Sequence, residues 1–376
     1  MTSRYPAFAP VILDHFAASA AELVDMPIIQ PADPFLDMAG EDLRRRIFLT
    51  ESETGETLCL RPEFTIPVCL DHIAARAATP HRYAYLGEVF RQHREGGNEF
   101  FQAGIEDLGE ADVAEADARS VADAHALLAR LLPGRPLAVT LGDQTIFEAV
   151  LAALGLPRGW QKRLARAFGS PAQVEAALAD LANPPRAAAL PGEIAELVAF
   201  RDQEALSREI GAGIARAGLS ATAGRMPQDI ARRLIEKAEL RSVRLSPEAL
   251  DALKGFLAIE VPLDRAAAEL SDFAKAAGLA LTRTLDAFSR RVEAIARRGL
   301  EPAGIAYDAA FGRPLDYYTG LVFEVYEDGS DRPLAGGGRY DRLLTLLGAE
   351  KPIPAVGFSV WIDRIEKAGG EGTPWL

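Results

Sequence analysis

Hydrophobic residues near both ends of the chain occur in short runs that are separated by polar or glycine-containing linkers. Such runs, with their β-branched and aromatic residues, are typical of strands. They occupy residues 45–50, 57–61, 83–91, 99–106, 304–308, 321–326 and 355–361. A linker with Gly55 separates the first two runs, and a linker with Gly96 and Gly97 separates the next two. Each of these pairs therefore predicts a β-hairpin.

The middle of the chain, from about residue 110 to 299, is rich in Ala, Leu, Glu and Arg and mostly helical in periodicity, apart from a strand-like run at 137–141. A further helix is predicted at 10–23, and the run Gly336–Gly338 predicts a turn. One apolar helix face has residues at alternating spacings of four and three, namely Leu281, Leu285, Phe288, Val292 and Ile295. Strand-rich ends around a helical middle predict an α+β fold, with one antiparallel sheet built from distant parts of the chain and flanked by helices.

Composition excludes several functional classes. The 376 residues are 49% apolar and carry a formal charge of −13, which disfavours nonspecific attraction to nucleic acid. The cysteines Cys59 and Cys69 form no disulfide framework, and the five histidines show no short metal-ligand spacing, so no metal is expected. The chain has no apolar run of about 18 residues and no apolar signal core, so we expect a cytoplasmic protein without a membrane span.

Polar residues within otherwise apolar strands are the candidates for a ligand-binding site. Gln102 and Glu106 are four residues apart and share one face of a strand, and Arg91 ends the preceding strand. Arg313 comes shortly before two tyrosines and another strand. These groups suit a small polar ligand with a carboxylate and a cationic or donor group, because arginine binds carboxylates bidentately. Alternatively, they are sheet-edge and turn residues that satisfy one another.

Five segments, in order along the chain, resemble the core of histidyl-tRNA synthetase, a class II aminoacyl-tRNA synthetase. They are the amino-group-binding stretch at 60–65, motif 2 at 90–109, the two histidine-specific signatures at 313–324 and 335–341, and motif 3 at 354–365. The resemblance implies a class II synthetase-like core over residues 1–366, interrupted by a mainly helical insertion at about 155–255. It further implies a tail at 367–376 and no anticodon-binding domain.

The resemblance also implies roles for individual residues. Glu63 and Thr65 match the groups that hold the α-amino group, and Gln102 and Arg313 match those that face the carboxylate. Arg91 matches the motif 2 arginine that contacts the α-phosphate in the family. The resemblance places four further residues around the imidazole and along the pocket wall: Glu106, Tyr317, Tyr318 and Tyr340. The implied histidine pocket is therefore nearly complete.

The nucleotide side departs from the family pattern. His93 replaces the glutamate that contacts adenine, and Trp361 replaces a glycine that lets the nucleotide approach, although Arg364 is retained. In the motif 2 loop, Asn98 or a neighbour stands where an arginine is expected. Two lost charge-assisted contacts of roughly 1.5–3 kcal/mol each, plus a steric block, should weaken ATP binding about 10³-fold or more. Amino-acid activation is expected to be weak or absent.

An amino-acid pocket beside a damaged nucleotide site resembles one group of synthetase paralogues, the regulatory subunits of short-form ATP phosphoribosyltransferase. That resemblance implies a protein that is not itself an enzyme and has no cofactor. It also implies a homodimer within a hetero-oligomer, with the catalytic subunit as partner, histidine as ligand and no tRNA. Two alternatives stay open: a truncated synthetase that uses Arg91, Arg313 and Arg364 to form a histidyl-adenylate, and a pure adaptor with a vestigial pocket.

Overall fold

The computed structural model describes residues 6–38, 40–93, 97–183, 190–217, 226–242, 244–313 and 317–369. Parts of four predicted segments lie outside the described residues: the motif 2 loop at 94–96, the helical insertion at 184–189, 218–225 and 243, the first histidine-specific signature at 314–316, and the tail at 370–376. Among the described residues, no helix combines the length and the apolar character needed to cross a membrane.

Strands and helices follow one another along the chain in a mixed order. The strands are β1 (Glu22–Leu23), β2 (Ile29–Pro31), β3 (Leu49–Glu51), β4 (Thr57–Leu60), β5 (His81–Phe90), β6 (Glu99–Leu108), β7 (Leu137–Asp143), β8 (Glu260–Pro262), β9 (Ile305–Asp308), β10 (Leu321–Glu327), β11 (Pro333–Arg339) and β12 (Ala355–Trp361). The helices are α1 (Ala9–Ala18), α2 (Asp33–Met38), α3 (Glu41–Arg44), α4 (Thr65–Ala75), α5 (Val113–Leu131), α6 (Gln144–Ala153), α7 (Arg158–Ala167), α8 (Pro171–Ala182), α9 (Gly192–Ala199), α10 (Gln203–Arg216), α11 (Pro227–Ser242), α12 (Pro247–Leu257), α13 (Leu263–Ala276), α14 (Thr282–Arg297), α15 (Leu343–Leu346) and α16 (Ile362–Gly369).

The largest sheet has nine strands, in the order β1-β5-β6-β12-β11-β10-β7-β9-β8. Neighbouring strands are antiparallel except in the pairs β1–β5 and β7–β9, which are parallel. Strands from both ends of the chain meet where β6 pairs with β12. The predicted α+β class, with a sheet built from distant segments, is confirmed. The predicted hairpins are the pairs β5–β6 and β3–β4, but the second pair belongs to a separate three-stranded sheet, β2-β4-β3, and not to the one predicted sheet.

The chain divides into two compact units. The first contains residues 1–150, 168–170 and 255–376, and includes the nine-stranded sheet. The second contains residues 151–167 and 171–254, and its described residues are mostly helical. A small core of its own, centred on Val198, Leu206 and Ala231, lies within the second unit.

The predicted turn at Gly336–Gly338 is wrong, because these glycines lie within β11, inside the sheet. Their lack of side chains serves packing instead of chain reversal. A Cβ atom on Gly337 would lie 2.4 Å from the carbonyl oxygen of Gly357, and one on Gly338 would lie 2.6 Å from that of Leu321. Glycine therefore lets other groups pack closely against the strand.

Two further predictions need correction. The N-terminal helix ends at Ala18 and does not extend to residue 23, because Ala20 adopts a left-handed conformation with φ of 52° and the chain then enters β1. A short strand, β8, interrupts the middle segment that was predicted to be helical. By contrast, the apolar face of α14 packs as predicted, with Phe288 and Ile295 buried.

That same helix buries a charge that the apolar pattern did not indicate. Arg291 donates from Nε to Asp117 Oδ2 at 2.6 Å and also pairs with Asp143 at the end of β7. Arg339 of β11 donates from Nε to the other oxygen of Asp117 at 2.7 Å. The four side chains form a buried ion network that joins α5 and α14 to two strands of the sheet.

Candidate functional site

All nine residues predicted to form the histidine pocket line one cavity of about 130 Å³ in the first unit. They come from the start of α4, the end of β5, the strand β6, the segment before β10 and the end of β11. The lining residues are Leu43, Arg46, Glu63, Phe64, Thr65, Tyr85, Arg91, Gln102, Glu106, Arg313, Tyr317, Tyr318, Gly336, Tyr340, Gly357, Phe358, Ser359 and Trp361.

Glu106 is a buried carboxyl held by three hydroxyl groups. Thr65 donates to its Oε1 at 2.7 Å, Tyr85 donates to the same oxygen at 3.3 Å, and Tyr340 donates to Oε2. Room for the carboxyl depends on Gly357 in the neighbouring strand, where a Cβ atom would lie 1.8 Å from Oε2. Burial raises the pKa of Glu106 to about 8, although the hydroxyl donors oppose this rise.

The start of α4 positions a second carboxyl. Glu63 accepts hydrogen bonds from the backbone amides of Thr65 at 2.7 Å and Ile66 at 2.9 Å, so it satisfies two of the amides that the first turn of a helix leaves unpaired. Burial raises the pKa of Glu63, and these two backbone donors oppose the rise. Local helix geometry thus fixes this carboxyl at the cavity wall.

Arg313 contributes a positive charge to the same cavity. Its Nε donates to Glu324 at 3.1 Å and its Nη1 donates to the hydroxyl of Tyr318 at 2.8 Å, which together use two of its five N–H donors. Gly336 of β11 makes room for the guanidinium, because a Cβ atom there would lie 2.7 Å from Arg313 Cζ. The side chain is 10% exposed and is held in one orientation.

A second cation, Arg91, connects to Gln102 and Trp361. In the amide orientation that satisfies its neighbours, the Gln102 oxygen accepts from Trp361 Nε1 at 2.9 Å and from Arg91 Nη2 at 3.3 Å. Arg91 also donates from Nε to the carbonyl of Pro62 at 2.7 Å. Burial lowers the pKa of Arg91 to about 10, which leaves it charged at neutral pH.

Of the three residues predicted to mark the degenerate nucleotide site, only Trp361 lines this cavity. Trp361 lines the cavity and is 5% exposed, whereas His93 is exposed and neither His93 nor Arg364 is among the lining residues. The guanidinium carbon of Arg364 lies 4.3 Å from the centroid of the Trp361 ring, and that of Arg313 lies 5.6 Å from it. Arg364 also donates to the carbonyl of Pro333 at 2.7 Å.

Tyr85 and Gly357 contribute to the site although the sequence did not single them out. The register of β5 against β6 pairs Tyr85 with Gly104, midway between Gln102 and Glu106 on the inward face. A hairpin register drawn from the two predicted strands could have found Tyr85. Gly357 had no comparable signal, because its importance depends on the pairing of β12 with β6.

The cavity therefore combines two carboxyls, three arginines (Arg46, Arg91 and Arg313) and several phenols within a small space. This arrangement can bind a compact ligand with a cationic end and an anionic end. No cluster of three or more metal-binding side chains occurs in the part of the chain that the structure describes.

We expect Glu106 to reduce stability as the pH rises. The pKa of the Glu106 carboxyl is about 8 in the folded state and 4.5 in the unfolded state. Between pH 4.5 and pH 8 the carboxyl is therefore protonated in the folded protein and loses its proton on unfolding. Its contribution to the free energy of unfolding is complete below pH 4.5 and declines as the pH rises toward 8, by at most about 1.4 kcal/mol per pH unit. Urea unfolding at several pH values measures this decline.

The variant Glu106→Gln cannot ionise at this position, so its stability should fall less steeply with pH than that of the parent protein. Glu99→Gln, at the exposed start of the same strand, is the matched control and should keep the parent slope. If the slope of Glu106→Gln equals that of the parent, the ionisation of Glu106 does not contribute to the pH dependence.

Comparison with known proteins shows which class of protein has this fold. The family model of histidyl-tRNA synthetase matches residues 5–225 and 214–365. A Bacillus halodurans structure described as an ATP phosphoribosyltransferase regulatory subunit/histidyl-tRNA synthetase aligns with a TM-score of 0.64 at 19% identity, and covers 98% of this chain and 82% of its own. Histidyl-tRNA synthetase from Nostoc aligns at 0.63 with 16% identity, over 96% of this chain and 71% of its own. The protein thus has the class II histidyl-tRNA synthetase-like fold.

Three relatives that match this chain over almost its whole length identify the particular family within this fold. A Mesorhizobium japonicum protein is 72% identical over 97% of this chain and 98% of its own length, and a Chelativorans protein is 66% identical over 99% and 100%. A third relative, from Agrobacterium fabrum, is 60% identical over 98% of both chains. All three are named ATP phosphoribosyltransferase regulatory subunit. This chain belongs to the family of ATP phosphoribosyltransferase regulatory subunits, and its role is regulatory.

Proposed function

We propose that this chain is a non-catalytic subunit that a short-form ATP phosphoribosyltransferase requires for activity, and that its cavity binds histidine as a feedback signal at the first step of histidine biosynthesis. The observation that carries the proposal is the cavity itself. Carboxyls and arginines suited to an amino acid surround it, while Trp361 and its contacts fill the adjoining space.

The charges of the cavity match those of histidine. In the proposed complex, Glu63 and Thr65 receive the α-amino group, while Arg91, Gln102 and Arg313 face the carboxylate. The imidazole needs both a donor and an acceptor for its two nitrogens, and the carboxyl of Glu106 can serve as either, because its pKa of about 8 is close to neutral pH. The phenols of Tyr317, Tyr318 and Tyr340 complete the wall.

The contacts of Trp361 support the absence of amino-acid activation. The indole N–H is bonded to Gln102, and the ring lies against the guanidinium of Arg364. Arg364 is the cation that the family resemblance assigns to the nucleotide, and here it is committed to the ring and to the carbonyl of Pro333. Both the space and the charge that a nucleotide needs are therefore already used within the chain.

The proposal extends to the assembly. We place the chain in the cytoplasm, as a homodimer within a hetero-oligomer that also contains the catalytic subunit, and without cofactor, metal or tRNA. We also assign the second unit, residues 151–167 and 171–254, as an insertion in the synthetase-like core. Histidine then inhibits by binding more tightly to an inactive arrangement of the assembly than to the active one, since only differential affinity shifts such an equilibrium.

The test is to mix the purified chain with a short-form ATP phosphoribosyltransferase from the same organism and to measure the condensation of ATP with phosphoribosyl pyrophosphate. We expect the two proteins to co-purify, the chain to activate the reaction, and histidine to inhibit the mixture. A catalytic subunit that is equally active without the chain overturns the proposal. Histidine-dependent exchange of pyrophosphate into ATP by the chain alone would instead indicate a synthetase-type enzyme.

A variant of the cavity tests the feedback site separately. Arg313→Gln removes a charged contact worth roughly 1.5–3 kcal/mol, so half-inhibition should need about 10- to 100-fold more histidine. Arg283→Gln, on the exposed face of α14, is the control and should leave the histidine requirement unchanged. Equal histidine requirements for Arg313→Gln and the control would place the inhibitory site outside this cavity.

A further inference from the structure

A groove in the second unit forms a separate cavity of about 700 Å³ between α7, α8 and α11. The function proposed above does not use it. Its lining residues are Arg158, Gly159, Lys162, Arg163, Arg166, Ala167, Gln173, Ala176, Ala177, Glu236 and Leu240. The size is within the range of small-molecule sites, roughly 300–1,000 Å³.

Three cations line one wall of this groove in a row. Arg158, Lys162 and Arg166 occur at every fourth residue of α7, so they lie on one face of the helix and extend over about 12 Å. All three are exposed, and within the described ranges no carboxylate forms an ion pair with any of them. Arg163 differs, because it pairs with Asp180 and its guanidinium lies 4.7 Å from the centroid of the Trp160 ring.

The other walls have a different chemistry. Gly159, Ala176 and Ala177 are small, so a ligand can approach the helix backbones closely. Glu236 of α11 provides a carboxylate, and Gln173 of α8 provides an amide. The indole N–H of Trp160 donates to the carbonyl of Leu240 at 2.8 Å, which joins α7 to α11 beside the groove.

We propose that this groove binds a small phosphate-bearing molecule of the nucleotide or sugar-phosphate class. A row of unpaired cations in a chain of net charge −13 is a local site for an anion with several charges. The carboxylate of Glu236 can accept hydrogen bonds from sugar hydroxyls on the opposite side. The groove is concave and has small side chains in its walls. It therefore suits a compact ligand that fits inside it better than the broad surface of a macromolecule.

Titration calorimetry of the full chain with ATP and with inorganic pyrophosphate, at low ionic strength, tests the proposal. Both probes should bind, and Arg158→Gln/Arg166→Gln should weaken the binding at least tenfold. The control, Arg283→Gln/Arg290→Gln, removes the same charge from an exposed face of α14 and should change affinity less than twofold. The proposal is overturned if neither probe binds, if both pairs weaken binding equally, or if the groove pair changes only the retention of RNA or of an acidic protein.

A gain in affinity gives a second readout that misfolding cannot mimic. Glu236→Gln removes the one carboxylate among the lining residues, so inorganic pyrophosphate, which has no hydroxyls, should bind about threefold more tightly through lower repulsion. Unchanged or weaker pyrophosphate binding in this variant would show that the anion does not lie between α7 and α11.

Discussion

Replacing Arg291 by methionine is expected to lower the free energy of unfolding by about 3–5 kcal/mol. Asp117 and Asp143, its two ion-pair partners, have side chains that are 0% and 2% exposed. Without the guanidinium, Asp117 keeps Arg339 as its cation, but Asp143 loses its ion pair and keeps only bonds from backbone amides. A buried carboxylate without a counter-charge is costly.

Urea denaturation measures this loss through the midpoint of the transition and its slope. Arg290 provides a matched control, because it precedes Arg291 on the same helix but is exposed. Arg290→Met should change stability by no more than about 0.5 kcal/mol. Similar losses for the two variants would mean that the buried ion network contributes little beyond a general effect on α14.

The second large effect concerns Trp361. Trp361→Gly should raise the affinity for ATP at least tenfold, because it empties the space beside the cavity and frees Arg364 from its contact with the ring. The same change removes a large buried side chain and should lower the free energy of unfolding by about 3–5 kcal/mol. Titration with ATP gives the affinity, and the rise of the unfolding midpoint on adding ATP gives an independent measure; both are made in an Arg158→Gln/Arg166→Gln background, so that binding in the groove of the second unit contributes little.

Trp361→Phe separates the two contributions of this residue. Phenylalanine cannot donate to Gln102 but still occupies most of the space, so this variant should bind ATP no better than the parent protein. If Trp361→Gly also fails to gain affinity, the ring is not what excludes the nucleotide. The replacement of the family glutamate by His93 would then be the more important change.

The identity of the site residues followed from the sequence because the signals are local. Alternation along β6 places Gln102 and Glu106 on one face, whatever the strand pairs with. The order of the synthetase-like segments then assigned Glu63, Thr65 and Arg313 to the same pocket, and all five side chains line one cavity. Their roles toward histidine remain predictions that the variants above test.

The errors arose where pairing between distant strands decides the structure. Three consecutive glycines are typical of a turn, yet β11 has neighbours on both sides and needs glycines because of their close approach. The helical stripe on α14 correctly predicted an apolar face, but the pattern gave no sign that Arg291 is buried. Its partners lie at positions 117 and 143, far from it along the chain.

The sequence by itself determined the α+β class, most of the strands and nine of the polar groups in the cavity, because strand alternation and motif order depend on neighbouring residues. Only the tertiary structure showed that Gly357 leaves space for the carboxyl of Glu106, that Trp361 contacts Arg364, and that an ion network surrounds Asp117. The physical reason is distance along the chain. Steric fit and charge pairing depend on which residues folding brings together, and a local pattern does not contain that information.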